Sequence, residues 1–335
     1  MPMITAHDIA RRVGVNQCTV SRALTGFPHV SAKTADKVRQ ACRALGYVPN
    51  AMASALSSRR THAIAIHIPF RKETVLADPF LPEFLSGVNR ECACHDYTII
   101  LSFVAPDEPG FAFSHLIKAR RADGLILVGL QTGDRRIAEL RAQAIPCVIG
   151  HVQGRLGKWI ASVDVDNHDI GRRAAEFLIN RGHRRIGAVL EPEGNLSGND
   201  FWRGVSEALR HHRLGADERL VQRTAITASA ARRATEKLLR RVRPPSAILV
   251  DTALGIFGAL EARRAMGRSV DLLGVDSPLL QDLHPDLPRI RAPIAELGAA
   301  MTRVLIQMIK TGQTPKPHRM LRATILDERG RVFQG

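Results

Sequence analysis

Strand-like and helix-like segments alternate along the chain from residue 61 onwards. Apolar runs with strand character occupy residues 63–68, 97–103, 123–128 and 146–149, and then 185–190, 220–224, 247–250 and 272–275. Amphipathic helical segments lie between them, at 83–94, 111–120, 135–143, 168–181, 200–212, 228–241 and 255–266. Such alternation is typical of parallel sheets covered by helices on both faces. Two successive sets predict an α/β core made of two doubly wound parallel-sheet lobes.

The first 60 residues carry much of the positive charge of the chain. The whole chain has 48 basic and 32 acidic residues, a net charge of +16. Residues 1–60 hold nine of the basic residues and two of the acidic ones, so this stretch alone carries +7. A dense basic segment favours a polyanionic partner, most often nucleic acid. A genome that favours arginine is the alternative, because only 8 of the 48 cations are lysine.

Two short helical segments joined by a glycine lie within this basic stretch. Thr5 and Asp8 have the spacing of a capping box at the start of the first helix, and Gly14 is a natural stop for it. Asn16 is a capping residue for the second helix, which is polar on one side and apolar on the other. Its apolar side consists of Val20, Ala23 and Leu24. Two helices with this connection form the helix-turn-helix pattern.

A third helix is predicted between Ser31, its cap, and Gly46, its stop. Its inner stripe consists of Val38, Ala41, Cys42 and Leu45. Three short helices around one small core predict a DNA-binding head, and a generic three-helix bundle is the alternative. A further short helix over residues 51–56, capped by Asn50, is too short to be stable alone and would order on contact with a partner. A plain tether is the alternative for that segment.

The first 60 residues resemble the head and hinge of LacI/GalR-type bacterial transcription regulators. The matching pieces follow one another without gaps: Gly14-Val15, Thr19-Val20-Ser21-Arg22, Val30-Ser31, Leu45-Gly46-Tyr47, Pro49-Asn50 and Leu56. The rest of the chain resembles the core of the same family, which is similar to periplasmic sugar-binding proteins. The pieces there are Asp78-Pro79-Phe80, Arg121-Ala122-Asp123-Gly124, Ile145-Pro146, Val163-Asp164-Val165-Asp166-Asn167, Gly182-His183-Arg184-Arg185-Ile186, Gly274-Val275-Asp276 and Pro293-Ile294-Ala295-Glu296-Leu297-Gly298.

The resemblance implies three parts and a regulatory function. Residues 1–47 would form the helix-turn-helix head, 48–61 the hinge helix and linker, and 62–335 the effector-binding and dimerisation core. Within that core, the lobes would be about 62–160 plus 291–318, and 161–290 plus 319–335. The implied protein is a repressor that binds a palindromic operator in double-stranded DNA as a homodimer, with a tetramer as the alternative. It would act in the bacterial cytoplasm, at the nucleoid.

The resemblance also assigns residues to the DNA. The second helix would lie in the major groove, where an arginine can pair with guanine and a glutamine with adenine. Base readout would fall to Gln17, Cys18 and Arg22, and Leu56 would wedge between central base pairs from the minor groove. Contacts to the phosphate backbone would come from Thr5, Asn16, Thr19, Ser21, Thr25, His29, Ser31, Thr34, Tyr47 and Asn50.

The effector side of the chain departs from the family pattern. The usual arginine three residues before a helix glycine is replaced by Phe201, and the usual Asn-Asp pair is replaced by Thr252 and Ala253. An ordinary sugar effector is therefore not expected. Either a less polar ligand stacks on aromatic side chains, or the pocket has lost its ability to bind an effector. Packing inside a lobe is the alternative role for the aromatic residues. The candidate pocket residues are Phe80, Phe201, Trp202, Asp251 and Asp276.

Motifs for catalysis and for phosphate binding are absent from the sequence. It contains no GxGxxG, GxxxxGK[ST], GxSxG or HExxH. We therefore expect no enzyme, no cofactor and no metal site, and the alternative is a ligand-binding protein or enzyme of the same α/β architecture. The five cysteines form no CxxC and fit a reducing compartment. No apolar run approaches the ~20 residues that cross a bilayer, so no membrane partner is expected.

Overall fold

The computed structural model describes residues 4–24, 29–47, 60–68, 76–103, 116–131, 133–143, 145–150, 160–315 and 318–334. The chain divides into two compact units, residues 1–62 and 63–335. The hinge helix assigned to 51–56 lies outside the described residues, as do Thr25, Asn50 and Leu56.

The described part of the N-terminal unit contains three helices: α1 (Ala6–Val13), α2 (Gln17–Leu24) and α3 (Ala32–Leu45). The capping box at the start of α1 is present, with the Thr5 hydroxyl accepting from the Asp8 amide and the Asp8 carboxylate accepting from the Thr5 amide at 2.9 Å. Gly14 ends α1 in the left-handed conformation, with φ of 77°. These caps confirm the predicted helix boundaries.

One small apolar core holds the three helices of this unit together. Its buried members are Ile9, Ala10, Val20, Ala23, Ala35, Val38 and Cys42. Leu45, which the sequence placed on the inner stripe of α3, is 37% exposed instead. Leu45 is the last residue of α3. Ala35, near the start of α3, lies on the buried face of the helix, although the sequence pattern did not place it on the inner stripe.

The described residues of the second unit form twelve strands: β1 (Ala63–Ile68), β2 (Thr98–Phe103), β3 (Gly124–Leu127), β4 (Cys147–Ile149), β5 (Ile160–Val165), β6 (Ile186–Leu190), β7 (Val221–Arg223), β8 (Ala247–Val250), β9 (Asp271–Val275), β10 (Arg289–Arg291), β11 (His318–Leu321) and β12 (Thr324–Leu326). Six of them form a first sheet in the order β2-β1-β3-β4-β5-β11, in which every neighbouring pair is parallel. The other six form a second sheet in the order β7-β6-β8-β9-β10-β12, in which the pair β10–β12 is antiparallel and the other pairs are parallel. The two sheets confirm the predicted α/β core of two doubly wound lobes.

Helices connect the strands of both sheets. They are α4 (Phe80–Cys94), α5 (Arg135–Gln143), α6 (Asn167–Asn180), α7 (Leu196–His211), α8 (Ala228–Leu239), α9 (Gly255–Ala265), α10 (Pro278–Leu283) and α11 (Ile294–Thr311). The helix predicted over 111–120 is described only from 116, and its helical part ends at residue 118. The long α11 packs on α4 and on strands β3, β4 and β5, so it belongs to the first lobe.

The boundaries between the lobes differ from the predicted ones. The whole of β5 lies in the first sheet, so the first crossing follows Val165 rather than residue 160. The whole of β11 also lies in the first sheet, beside β5, and the last crossing follows Leu321 rather than residue 318. The return from the second lobe follows β10, at residue 291, where the sequence placed it.

His67 is a buried titratable residue in the first sheet, on β1, with 1% of its surface exposed. Burial lowers its pKa to about 4, and the charge of Arg136 acts in the same direction while that of Asp134 opposes it. In the unfolded chain a histidine titrates near pH ~6.5, so the unfolded state binds the proton more tightly. The stabilisation from neutral His67 is complete above that pH and is lost as the pH falls towards 4. At pH ~5 the expected loss is about 2 kcal/mol.

Urea unfolding at a series of pH values measures this contribution. We expect His67→Gln to lose less stability than the unsubstituted chain between pH ~7 and pH ~5, because the glutamine does not titrate. His212→Gln is the matched control, since His212 is exposed at the end of α7. Equal pH slopes in His67→Gln and the unsubstituted chain would contradict the prediction.

Candidate nucleic-acid interface and ligand cavity

Helix α2 turns its polar side to solvent. Gln17, Cys18, Ser21 and Arg22 are exposed, while Val20 and Ala23 on the opposite side are buried in the small core. The predicted base-reading side chains of α2 therefore share one accessible face. A generic three-helix bundle accounts for the buried side equally well, but it gives no role to the exposed polar side.

The start of each of the three helices is exposed and capped. The Asn16 side chain accepts hydrogen bonds from the Thr19 amide at 2.7 Å and from the Thr19 hydroxyl at 2.8 Å. The Ser31 hydroxyl accepts from the Thr34 amide at 3.2 Å. Backbone amides and short hydroxyl side chains at helix starts are suited to phosphate oxygens. Thr5, Asn16 and Ser31 thus occupy equivalent positions at the beginnings of α1, α2 and α3.

The remaining predicted backbone contacts differ in accessibility. His29 is exposed, whereas Thr19, Thr34 and Tyr47 are half-buried. Tyr47 packs against the small core, and burial raises the pKa of its hydroxyl.

The described surface of the N-terminal unit is positively charged. Its exposed cations are Arg11, Arg12, Arg22, Lys33, Lys37, Arg39 and Arg43. The two acidic residues, Asp8 in the α1 capping box and Asp36 paired with Arg39 at 3.0 Å, offset only two of these positive charges. Hydrogen bonds to Thr5 hold the pKa of Asp8 below its ordinary value.

A cavity of about 240 Å³ lies within the second unit and is lined by residues of both lobes. Phe80, Phe201, Asp251 and Asp276 all line it, so the structure brings four of the five predicted pocket residues together. Trp202 is not among the lining residues, which corrects its assignment as a pocket wall. Its ring is buried in the core, and its indole N–H donates to Glu218 at 2.7 Å, so packing inside the lobe accounts for it.

Asp251 and Asp276, two of the acidic residues in the cavity, differ in the groups that donate hydrogen bonds to them. Asp251 accepts hydrogen bonds from the Glu191 amide at 3.1 Å, and its burial together with the nearby Glu191 carboxylate raises its pKa well above the ordinary value. Asp276 accepts from Gln281 and from Arg291, each at 3.0 Å, and faces Arg289 at 3.5 Å.

Four further acidic residues, which were not among the predicted pocket residues, line the cavity. They are Asp78, Glu83, Asp164 and Glu191. Burial raises the pKa of Asp78 and of Glu83. A signal was present for part of the set, because β6, β8 and β9 are each followed at once by an acidic residue. Ligands bind at the carboxyl ends of strands in open α/β sheets, so three such positions in adjacent strands mark the site.

Among the described residues, no group of three or more His, Cys, Asp and Glu side chains is arranged to hold a metal ion. Over the same part of the chain, no helix has the length and apolar character needed to span a bilayer.

Comparisons with known proteins match both units. Residues 5–50 match the model of the bacterial regulatory proteins of the lacI family, and residues 175–330 match a periplasmic binding protein-like domain. The transcriptional regulator AglR of Rhizobium meliloti is 30% identical over 312 residues, covering 90% of this chain and 87% of that protein. CelR of Thermobifida fusca is 30% identical over 331 residues, covering 96% of each chain.

Known structures give the same result for the fold. A complex of the regulator CelR with cellobiose has a TM-score of 0.75 at 27% identity, covering 98% of this chain and all of that one. The lac repressor dimer bound to its operator and an anti-inducer has a TM-score of 0.81 at 23% identity, covering 98% of this chain and 99% of that one. The resemblance seen in the sequence is thereby confirmed: the chain belongs to the LacI family of bacterial regulatory proteins.

Proposed function

We propose that this regulator is a repressor that binds a near-palindromic operator as a homodimer. The observation that carries the proposal is the exposed polar face of α2 on a positively charged three-helix unit. A helix with such a face fits the major groove, and the surrounding cations attract the phosphate backbone. A twofold protein presents two such helices, which is why the operator would be nearly palindromic.

We assign Arg22 to a guanine, Gln17 to an adenine and Cys18 to a thymine methyl group. The exposed helix starts of α1, α2 and α3 would fix the register by holding phosphates, together with the other backbone positions predicted from the sequence. Leu56 and the hinge would enter the minor groove and kink the duplex. Unstacking one base step costs a few kcal/mol, which the additional contacts to bent DNA offset.

The core supplies dimer contacts and regulation in this proposal. Leu279 and Leu283 lie four residues apart on α10 with 51% and 59% of their surfaces exposed, and a second copy would cover them. A ligand in the interlobe cavity would change the angle between the lobes and bias the hinge, a coupling of about 1–3 kcal/mol. We propose that the protein has no catalytic activity and that it acts in the cytoplasm, where operator DNA is accessible.

Selection of random DNA with the purified full-length chain tests the proposal. We expect a near-palindromic site, and affinity for it should fall about a thousandfold between ~50 and ~200 mM salt if at least about six phosphates are neutralised. Leu56→Ala should weaken binding and reduce the DNA bend while leaving the selected bases unchanged. Selection that returns no common sequence would contradict sequence-specific binding, and an unchanged bend would remove the assigned role of Leu56.

A further inference from the structure

The walls of the interlobe cavity are acidic and apolar. Six carboxylates line it, belonging to Asp78, Glu83, Asp164, Glu191, Asp251 and Asp276. Among the described residues, no lysine, arginine or histidine takes part in the lining. The rest of the lining is mostly aliphatic and aromatic, with Phe80 and Phe201 contributing ring surface. The cavity therefore combines negative charge with low polarity elsewhere.

Arginines behind the lining neutralise only part of this charge. Arg289 and Arg291 both pair with Asp276, and Arg223 lies close enough to lower the pKa of Asp251 against the effect of burial. Because burial and the Glu191 carboxylate raise the pKa of Asp251 well above its ordinary value, Asp251 and Glu191 together contribute one negative charge. The carboxylates in the lining still outnumber the three guanidinium groups in the described surroundings. An anionic ligand would be repelled by the described part of this lining, which disfavours phosphate esters and carboxylic acids.

One carboxylate oxygen in the cavity still has hydrogen-bonding capacity. The Asp276 side chain is 5% exposed, and its Oδ1 accepts no hydrogen bond from the described residues, although Arg289 lies 3.5 Å away. A buried acceptor without a donor costs free energy unless a ligand satisfies it. Because Asp276 lines the cavity, the donor that is missing is one that a bound molecule can supply.

Hydrogen-bond chemistry distinguishes a cation from a neutral sugar here. Each sugar hydroxyl both donates and accepts, so a sugar site needs protein donors as well as acceptors. Ionised carboxylates only accept, and the uncharged polar side chains in the described lining are Asn167, Ser197 and Thr252. Ammonium and guanidinium groups only donate, and they also bind favourably over aromatic faces such as those of Phe80 and Phe201.

We propose that the cavity binds a small organic cation, an amine or guanidine with an apolar body. The adjacent carboxyl groups of Asp251 and Glu191, together with Asp276, hold the charged group, and the aromatic and aliphatic walls hold the apolar part. The volume of about 240 Å³ restricts the ligand to a small molecule. This inference rests on the proposed role of the cavity as an effector site.

Matched ligand pairs test the charge preference directly. We would titrate the full-length protein in a calorimeter with phenethylamine and 2-phenylethanol, with glucosamine and glucose, and with cellobiose. The members of each pair differ in an ammonium or a hydroxyl group. We expect at least one amine to bind about tenfold more tightly than its neutral partner, because the charge-assisted hydrogen bonds are the stronger ones. The proposal is overturned if neither amine binds, or if a neutral partner or cellobiose binds as tightly as the amine.

Variants of the two aspartates locate the effect. Asp251→Asn and Asp276→Asn should each bring the amine and its neutral partner to nearly equal affinity, while apolar binding of both persists. Asp282→Asn is the matched control, because Asp282 is exposed on α10 and is not part of the cavity lining. If one aspartate variant fails to fold, the salt dependence of the unsubstituted protein decides, since only amine binding should weaken with ionic strength. Amine binding that is insensitive to salt and to both substitutions overturns the proposal.

The outcomes separate this inference from the proposed regulatory function. Calorimetry on the protein alone does not depend on operator binding, so a failure to bind DNA leaves the ligand result intact. An amine that binds in the cavity without changing operator affinity would support the inference and remove the proposed effector response.

Discussion

Replacing Arg22 with alanine is expected to cause the largest loss of operator affinity among substitutions on α2. A bidentate arginine–guanine pair discriminates against a wrong base by about 1–3 kcal/mol. A homodimer makes the contact twice, so the expected loss is about 2–6 kcal/mol, which is at least about thirtyfold in Kd. The side chain is exposed on a helix whose buried face consists of other residues, so folding of the head should be unaffected. Fluorescence anisotropy with the selected operator measures the change.

Arg43→Ala is the matched control for the loss of one positive charge. Arg43 is exposed in the last turn of α3 and is not one of the residues on the polar face of α2. Its removal should weaken binding to specific and nonspecific DNA alike, or leave both unchanged. Arg22→Ala should instead reduce the preference for the selected bases. An Arg22→Ala variant that keeps its base preference would show that this side chain does not read the operator.

Much of the fold follows from local patterns in the sequence. The capping residues Thr5 and Ser31 and the stops Gly14 and Gly46 act on their immediate neighbours, and the structure confirms all four. The helix at Arg135–Gln143 and the strand at Ala247–Val250 have the bounds that the sequence predicted. Local signals suffice where a boundary depends on a cap or on the period of a short segment.

Assignment to a lobe depends instead on contacts between distant parts of the chain. Strand β5 was not recognised as a strand of the first sheet, because its partners β4 and β11 are identified only by pairing across the fold. Helix α11 lies after the second set of strands but packs on β3, β4 and β5 of the first lobe, and the resemblance to the family, rather than any local pattern, placed its residues there. The first and last crossings between the lobes therefore lie five and three residues beyond the predicted positions.

The candidate sites show a similar division. The exposed face of α2 could be predicted, since the apolar residues of a short helix define its buried side and leave the other side to solvent. The assignment of Trp202 to the cavity wall was wrong, because adjacent residues such as Phe201 and Trp202 point to different sides of a helix. The acidic character of the cavity was missed, because its carboxylates come from strands, strand ends, a turn and helix α4, which are far apart in sequence.

Gly204→Ala is expected to cause a large loss of stability in the second lobe. Helices α6 and α7 cross so closely at this position that a Cβ on Gly204 would lie 1.9 Å from the carbonyl oxygen of His168. Gly171 stands in the reciprocal position, where a Cβ would lie 1.9 Å from the carbonyl oxygen of Phe201. Backbone atoms cannot rotate away as a side chain can, so the helices must separate and lose packing along their contact.

The expected cost is about 3 kcal/mol, at the upper end of the usual range for overpacking, even though alanine favours a helix by about 1 kcal/mol over glycine. Urea unfolding at fixed protein concentration measures it. Gly215→Ala is the matched control, because nothing lies within 4 Å of a Cβ at that position, and its effect should stay within about 0.5 kcal/mol. Equal stabilities for Gly204→Ala and Gly215→Ala would show that α6 and α7 do not meet as closely as described. Since Phe201 lies one turn before Gly204 and lines the cavity, separation of the helices should also weaken ligand binding there.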